Sequence, residues 1–230
     1  MNLEEHYEEM WWDALEKFKQ NQLSLDQQMD DRDDFRRGIT LIIRPNVQVL
    51  KSISKFLNEL KKVVPIQYIY PVADIHITAM SIISCYEGFK LENIQVEEYV
   101  KIIKNSLKNL PKEEILFKGI TASDSGIMIQ GFPKNGVLYK LRDTLRADFR
   151  QSDLESSIDR RYQITTAHST VLRFNSTIKN QNEFLKVLKK YRQFDFGTFE
   201  VDSYEFVFND WYQKKELTKC LDIFNIPSKS

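Results

Sequence analysis

The chain has 230 residues, is 42% hydrophobic, and sets 33 Lys plus Arg against 33 Asp plus Glu. That much apolar content supplies a sizeable core and excludes a disordered chain. The balanced charge excludes a general DNA- or RNA-coating protein, though not a local basic pocket for one phosphate.

The N-terminus, "MNLEEHYEEMWWDALEKF", is acidic and has no apolar stretch of the kind a secretory signal needs. No segment reaches the roughly 18 continuous apolar residues of a membrane span. Cys85 and Cys220 lie in periodic segments without CxxC spacing, so free thiols and a cytoplasmic setting are expected. The sequon at Asn175 then has no consequence. Within residues 3 to 18, Leu3, Tyr7, Met10, Trp11, Ala14, Leu15 and Phe18 recur at helical spacing. This helix is expected to pack on the main body, with a lid or a docking surface for a protein partner as the other roles. "DQQMDDRDDFRR" follows, and it lacks the central Gly and twelfth-position Glu of a calcium loop, so it reads as a linker.

From Gly38 the pattern becomes regular. "GITLIIRP" (38–45) reads as a strand stopped by Pro45, and 47–64 as a helix with Val49, Leu50, Ile53, Phe56, Leu57 and Leu60 on one face. A strand around His76 precedes a helix at 96–110, stopped by Pro111. "EILFKGITA" and "GIMIQGFP", separated by "SDS", predict a hairpin over 114–133, then a helix over 137–151. Residues 162–174 read as a strand, 182–194 as a helix, and 196–211 with 215–224 as a closing strand pair. The fold class is α+β: a duplicated, bilobal arrangement of two antiparallel or mixed sheets around a central groove, helices on the outer faces. None of the 7 glycines falls in a GxGxxG or P-loop pattern, so no glycine-rich nucleotide turn is signalled.

The chemistry is carried by two of the three histidines. "HITAM" (76–80) and "HSTVL" (168–172) are both His-x-Thr followed by apolar residues, and they lie 168 − 76 = 92 residues apart. Side chains two apart on a strand share a face. His76 therefore projects with Thr78, then Met80 and Ile82; His168 projects with Thr170, then Leu172 and Phe174. If the halves face each other, two imidazoles and two hydroxyls meet in one groove. One ring can accept a proton while the other donates, and the hydroxyls suit the nonbridging oxygens of a phosphate. No Cys, Asp or Glu at ligand spacing completes a zinc site, and no GxSxG elbow provides a serine nucleophile, so no metal and no cofactor are expected.

The paired motifs resemble those of the 2H phosphoesterase superfamily, named for two His-x-Thr/Ser motifs in a duplicated fold. The resemblance spans roughly Gly38 to Phe224, with residues 1–36 as a helical extension and 37–230 as the family-like domain. It implies metal-independent hydrolysis of 2′,3′-cyclic phosphates or related RNA-terminal or 2′-5′ phosphodiesters, ligation being the reverse chemistry. Carried over by motif, His76 and His168 would be the acid–base pair and Thr78 and Thr170 the phosphate ligands. Strand parity adds Arg44 as a cation on the groove side and Tyr162 as a stacking surface for a base, and it turns Arg173 away. The expected partner is a small nucleotide or an RNA end; the alternative is a module that binds such ends without turnover.

Overall fold

Asn2 caps the first helix, α1 (Leu3–Lys19), by accepting a hydrogen bond from the Glu4 amide at 3.1 Å. Glu4 and Glu5 in its first turn and Lys17 and Lys19 in its last complement the helix dipole. Its buried stripe is Tyr7, Trp11, Ala14 and Phe18, and it packs against β4 (Glu114–Ser123). The computed structural model describes residues 2–29, 31 and 33–227.

The other elements, in chain order, are β1 (Arg37–Ile43), α2 (Val47–Val63), β2 (Tyr68–Ile69), β3 (Ile77–Tyr86) and α3 (Val96–Leu107). After β4 come β5 (Gly126–Pro133), α4 (Val137–Gln151), β6 (Ser169–Arg173), α5 (Gln181–Tyr191), β7 (Asp195–Glu200), β8 (Ser203–Asp210) and β9 (Lys219–Asn225). The class is α+β, built on a four-stranded sheet in the order β3-β1-β8-β9 and a five-stranded sheet in the order β2-β6-β5-β4-β7. Every strand pair among the described residues is antiparallel. Helices α1, α2 and α5 pack on the larger sheet, α3 and α4 on the smaller. No described helix is long and apolar enough to cross a membrane.

Several boundaries differ from the sequence expectation. The 162–174 strand begins only at Ser169, because residues before it hydrogen-bond to side chains instead of a neighbouring strand. The 196–211 run breaks at Val201 and Asp202: β7 joins β4 in one sheet and β8 joins β1 and β9 in the other. Helix α3 ends three residues early, with Asn109 in the left-handed region at φ 63°. The halves also exchange strands, since β2 joins the sheet of β6 while β8 pairs with β1 and carries β9 on its far side. Each sheet thus contributes one motif strand, β3 or β6, to the space between them.

Candidate active site

His76 and His168 occupy equivalent positions, each one residue before its strand begins. From there a simple two-residue alternation fails, for the same reason in both strands. Thr78 and Ser81 are three apart, yet their partners on β1, Ile42 and Thr40, are two apart. The extra residue, Ala79, is a β-bulge, and two further register shifts follow along β3. The partly exposed positions of β3 are therefore Thr78, Ser81 and Ser84, and all three line a groove between the sheets. Ile82, expected on that side, is fully buried.

On β6, Thr170 and Leu172 face Met128 and Ile127, which are adjacent, so Val171 is the extra residue. That bulge turns Arg173 into the groove with Thr170, correcting its exclusion by parity, while Leu172 and Phe174 go into the core. The groove brings together His76, Thr78, His168 and Thr170, the four residues singled out by motif. Tyr162 lies at its edge, 68% exposed, on a segment without regular structure.

Arg44 is not part of the lining. Strand β1 ends at Ile43, and the Arg44 guanidinium turns to the Glu205 carboxylate (3.3 Å) and the Ala73 carbonyl (3.0 Å). Arg173 lines the groove instead, and its Nε donates to the Tyr70 hydroxyl at 3.0 Å. Trp211 lines the far wall, with the Arg161 guanidinium stacked 4.5 Å from its ring centre. Nothing in the sequence marks Arg173 as a groove residue, because a bulge leaves no periodic signature.

Both rings are tied at Nδ1. His76 Nδ1 donates to the Asp74 carbonyl at 2.7 Å; a carbonyl only accepts, so the neutral ring keeps its lone pair at Nε2. Asp74 is itself held, its carboxylate accepting from the Lys215 amide at 3.2 Å. His168 Nδ1 bonds the Thr166 hydroxyl at 2.6 Å, a partner that can donate or accept and so admits either tautomer. Neither Nε2 has a protein partner among the described residues. Burial pushes both imidazoles down to about 4; Arg44 and Arg173 act in the same direction on His76, and Arg142 and Arg173 on His168. No cluster of three or more metal-ligating side chains occurs among the described residues.

The segment leading into His168 approaches β5 very closely at Gly131, where an added Cβ would lie 1.9 Å from the Ala167 carbonyl oxygen. Only glycine permits that approach. On the same spot Tyr7 of α1 donates its hydroxyl to the Gly131 carbonyl at 3.2 Å.

The sequence matches no protein-family model and no curated protein. Solved structures do match. The conserved protein ATU0111 of Agrobacterium tumefaciens aligns with TM-score 0.58 and 13% identity over 92% of this chain and 98% of its own. E. coli LigT complexed with 3'-AMP aligns with TM-score 0.56 and 10% identity over 83% of this chain and 98% of its own. A structure described as a phosphoesterase gives TM-score 0.55 and 11% identity over 84% and 99%. At such identities the shared property is the fold: this chain has the two-sheet architecture of LigT and that phosphoesterase over nearly their whole lengths.

Proposed function

We propose that the groove is the active site of a metal-independent phosphodiesterase of the 2H type, acting on 2′,3′-cyclic phosphates or related RNA-terminal or 2′-5′ phosphodiesters. The observation that carries this reading is the convergence of both His-x-Thr pairs on one groove, each ring tied at Nδ1 and free at Nε2. The likeness to LigT, solved with 3'-AMP, and to a phosphoesterase supports the substrate class.

In this mechanism one Nε2 takes a proton from water as the water oxygen bonds to phosphorus. The bond from phosphorus to one ribose oxygen breaks, and the other Nε2 delivers a proton to that oxygen. The fixed lone pair at Nε2 suits His76 to the base role; His168 takes the acid role as the imidazolium, its Nδ1–H donating to the Thr166 hydroxyl and its Nε2–H free to donate. Thr78 and Thr170 donate to the nonbridging oxygens, and Arg173 balances the charge that builds on them.

The test is hydrolysis of 2′,3′-cyclic nucleotides in EDTA by wild type, His76→Ala and His168→Ala. Each variant should lose at least 100-fold in kcat; unchanged turnover in either removes it from the mechanism. A p-nitrophenyl phosphodiester, whose leaving group needs no proton, should restore His168→Ala but not His76→Ala. A second reading is favoured by the partial burial of both rings, which lowers their basicity and disfavours an imidazolium in the free protein. It takes the groove as a binding site for nucleotide ends without turnover, and it predicts 3'-AMP affinity with no hydrolysis.

A further inference from the structure

Arg142, on α4, is the largest polar side chain in the core, at 1% exposure. Its Nε donates to the Ala79 carbonyl at 2.9 Å, and its Nη2 donates to the carbonyls of Thr78 at 2.9 Å and Thr166 at 2.8 Å. Thr78 and Ala79 belong to the first motif strand, in the four-stranded sheet. Thr166 belongs to the segment that leads into the second motif strand, in the five-stranded sheet, and its hydroxyl holds His168. One guanidinium thus spans two sheets that share no ladder, at the point where both motifs begin.

We propose that Arg142 is a positioning residue, a strut that fixes the separation of the two halves of the site by binding Thr78, Ala79 and Thr166 at once. The inference rests on the functional reading above for its kinetic consequences, but its geometry does not.

Three features support the role. First, Ala79 is the extra residue of the bulge, so its backbone stands outside the ladder with β1. Second, no carboxylate pairs with Arg142 among the described residues; burial lowers its basicity to about 10, and it stays charged at neutral pH. A buried cation without a counter-ion is a poor device for stability alone. Third, the planar fork of an arginine reaches several acceptors in fixed geometry, which a lysine ammonium on a flexible stem does not.

The experiment uses the full chain with Arg142→Lys, which retains a cation, and Arg142→Gln, which does not, each checked for folding by thermal melting. With a 2′,3′-cyclic nucleotide, Arg142→Lys should lose at least tenfold in kcat while KM changes by less than about threefold, the pattern of lost alignment instead of lost binding. In parallel, the two groove histidines are titrated by NMR in all three proteins. The charged or titratable groups facing the guanidinium are Tyr139 and Arg146 on α4, Tyr7 on α1 and Tyr204 on β8; Arg142, Arg173, His76 and His6 act on His168. With these unchanged, Arg142→Gln should raise the midpoint of His168 more than that of His76. Wild-type kcat in Arg142→Lys, or a His168 midpoint that is the same in all three proteins, overturns the strut. Absence of turnover by wild type instead overturns the functional reading, and the titration then decides the strut by itself.

Discussion

Gly131→Ala offers a sharp test of how the second histidine is placed. The added Cβ would start 1.9 Å from the Ala167 carbonyl oxygen. The shortest ordinary carbon–oxygen approach is about 3.3 Å, so the two backbones must separate by 3.3 − 1.9, or about 1.4 Å. Ala167 sits between Thr166 and His168, and Thr166 is held on its other side by Arg142 at 2.8 Å. The displacement therefore passes to the His168 ring and its Thr166 anchor. A misplacement of about 1 Å in a reacting group is worth roughly 100-fold in rate, and the overpacking itself destabilises by about 1–3 kcal/mol. Gly88→Ala is the control: Gly88 has φ 86°, and nothing lies within 4 Å of its absent Cβ. It should destabilise by about 1–2 kcal/mol through backbone strain and leave kcat alone. The assay is kcat for a 2′,3′-cyclic nucleotide beside a thermal melt. Turnover in Gly131→Ala within threefold of wild type, or an equal loss in Gly88→Ala, refutes the reasoning.

Arg173→Ala removes a charged hydrogen-bond donor from the groove, and affinity for 3'-AMP should fall by about 1.5–3 kcal/mol, roughly 10- to 100-fold by calorimetry. Deleting residues 2–19 exposes the core positions filled by Tyr7, Trp11 and Phe18. At about 1.5–3 kcal/mol per large apolar side chain that approaches the whole stability of a typical domain, so the truncated chain should lose its cooperative melt. A truncated chain that melts as wild type does would make α1 a separable docking element. Stability should fall with acid: the unfolded chain takes up protons at its histidines near 6.5, whereas the folded rings resist until about 4. The contribution is intact above 6.5, is lost between those values, and amounts to roughly 3 kcal/mol per ring. Urea titrations at several pH values should show that slope, and His76→Gln/His168→Gln should flatten it.

What the sequence made legible was whatever follows a period. The stripe Tyr7, Trp11, Ala14, Phe18 and the α2 face Val49, Ile53, Phe56, Leu57, Leu60 are buried as helical spacing requires. The hairpin of β4 and β5 lies where "SDS" predicts it. The His-x-Thr spacing put each histidine beside its threonine in the groove, because the first two groove positions precede the bulge in each strand. Beyond that point parity misleads. Ser81 replaces Ile82, Arg173 replaces Leu172, and Arg44 leaves the groove because its strand has already ended. Arg142 was invisible for another reason: its partners are backbone carbonyls, and a carbonyl left free by a bulge has no residue type to announce it.

Two rings held neutral by burial sit uneasily with acid–base catalysis until the substrate's own charge is counted. A phosphodiester anion about 4 Å from an imidazole, at an effective dielectric near 20, favours the imidazolium by about 4 kcal/mol. Burial disfavours the same proton by roughly 3 kcal/mol, from 6.5 down to about 4. The two are of comparable size, so in the proposed mechanism the bound anion returns one ring to the range where it can donate. It does not return both, since the first imidazolium repels a second proton and Arg173 already offsets part of the phosphate charge. One ring charged and one neutral is the state the mechanism needs, and the substrate creates it by binding. The consequence is a split between pH profiles: kcat, which reports the complex, should hold until the returned ring loses its proton nearer neutrality, while kcat/KM, which reports the free protein, should already decline as pH rises above about 4. Identical alkaline limbs in the two profiles would mean that the phosphate does not sit between the rings.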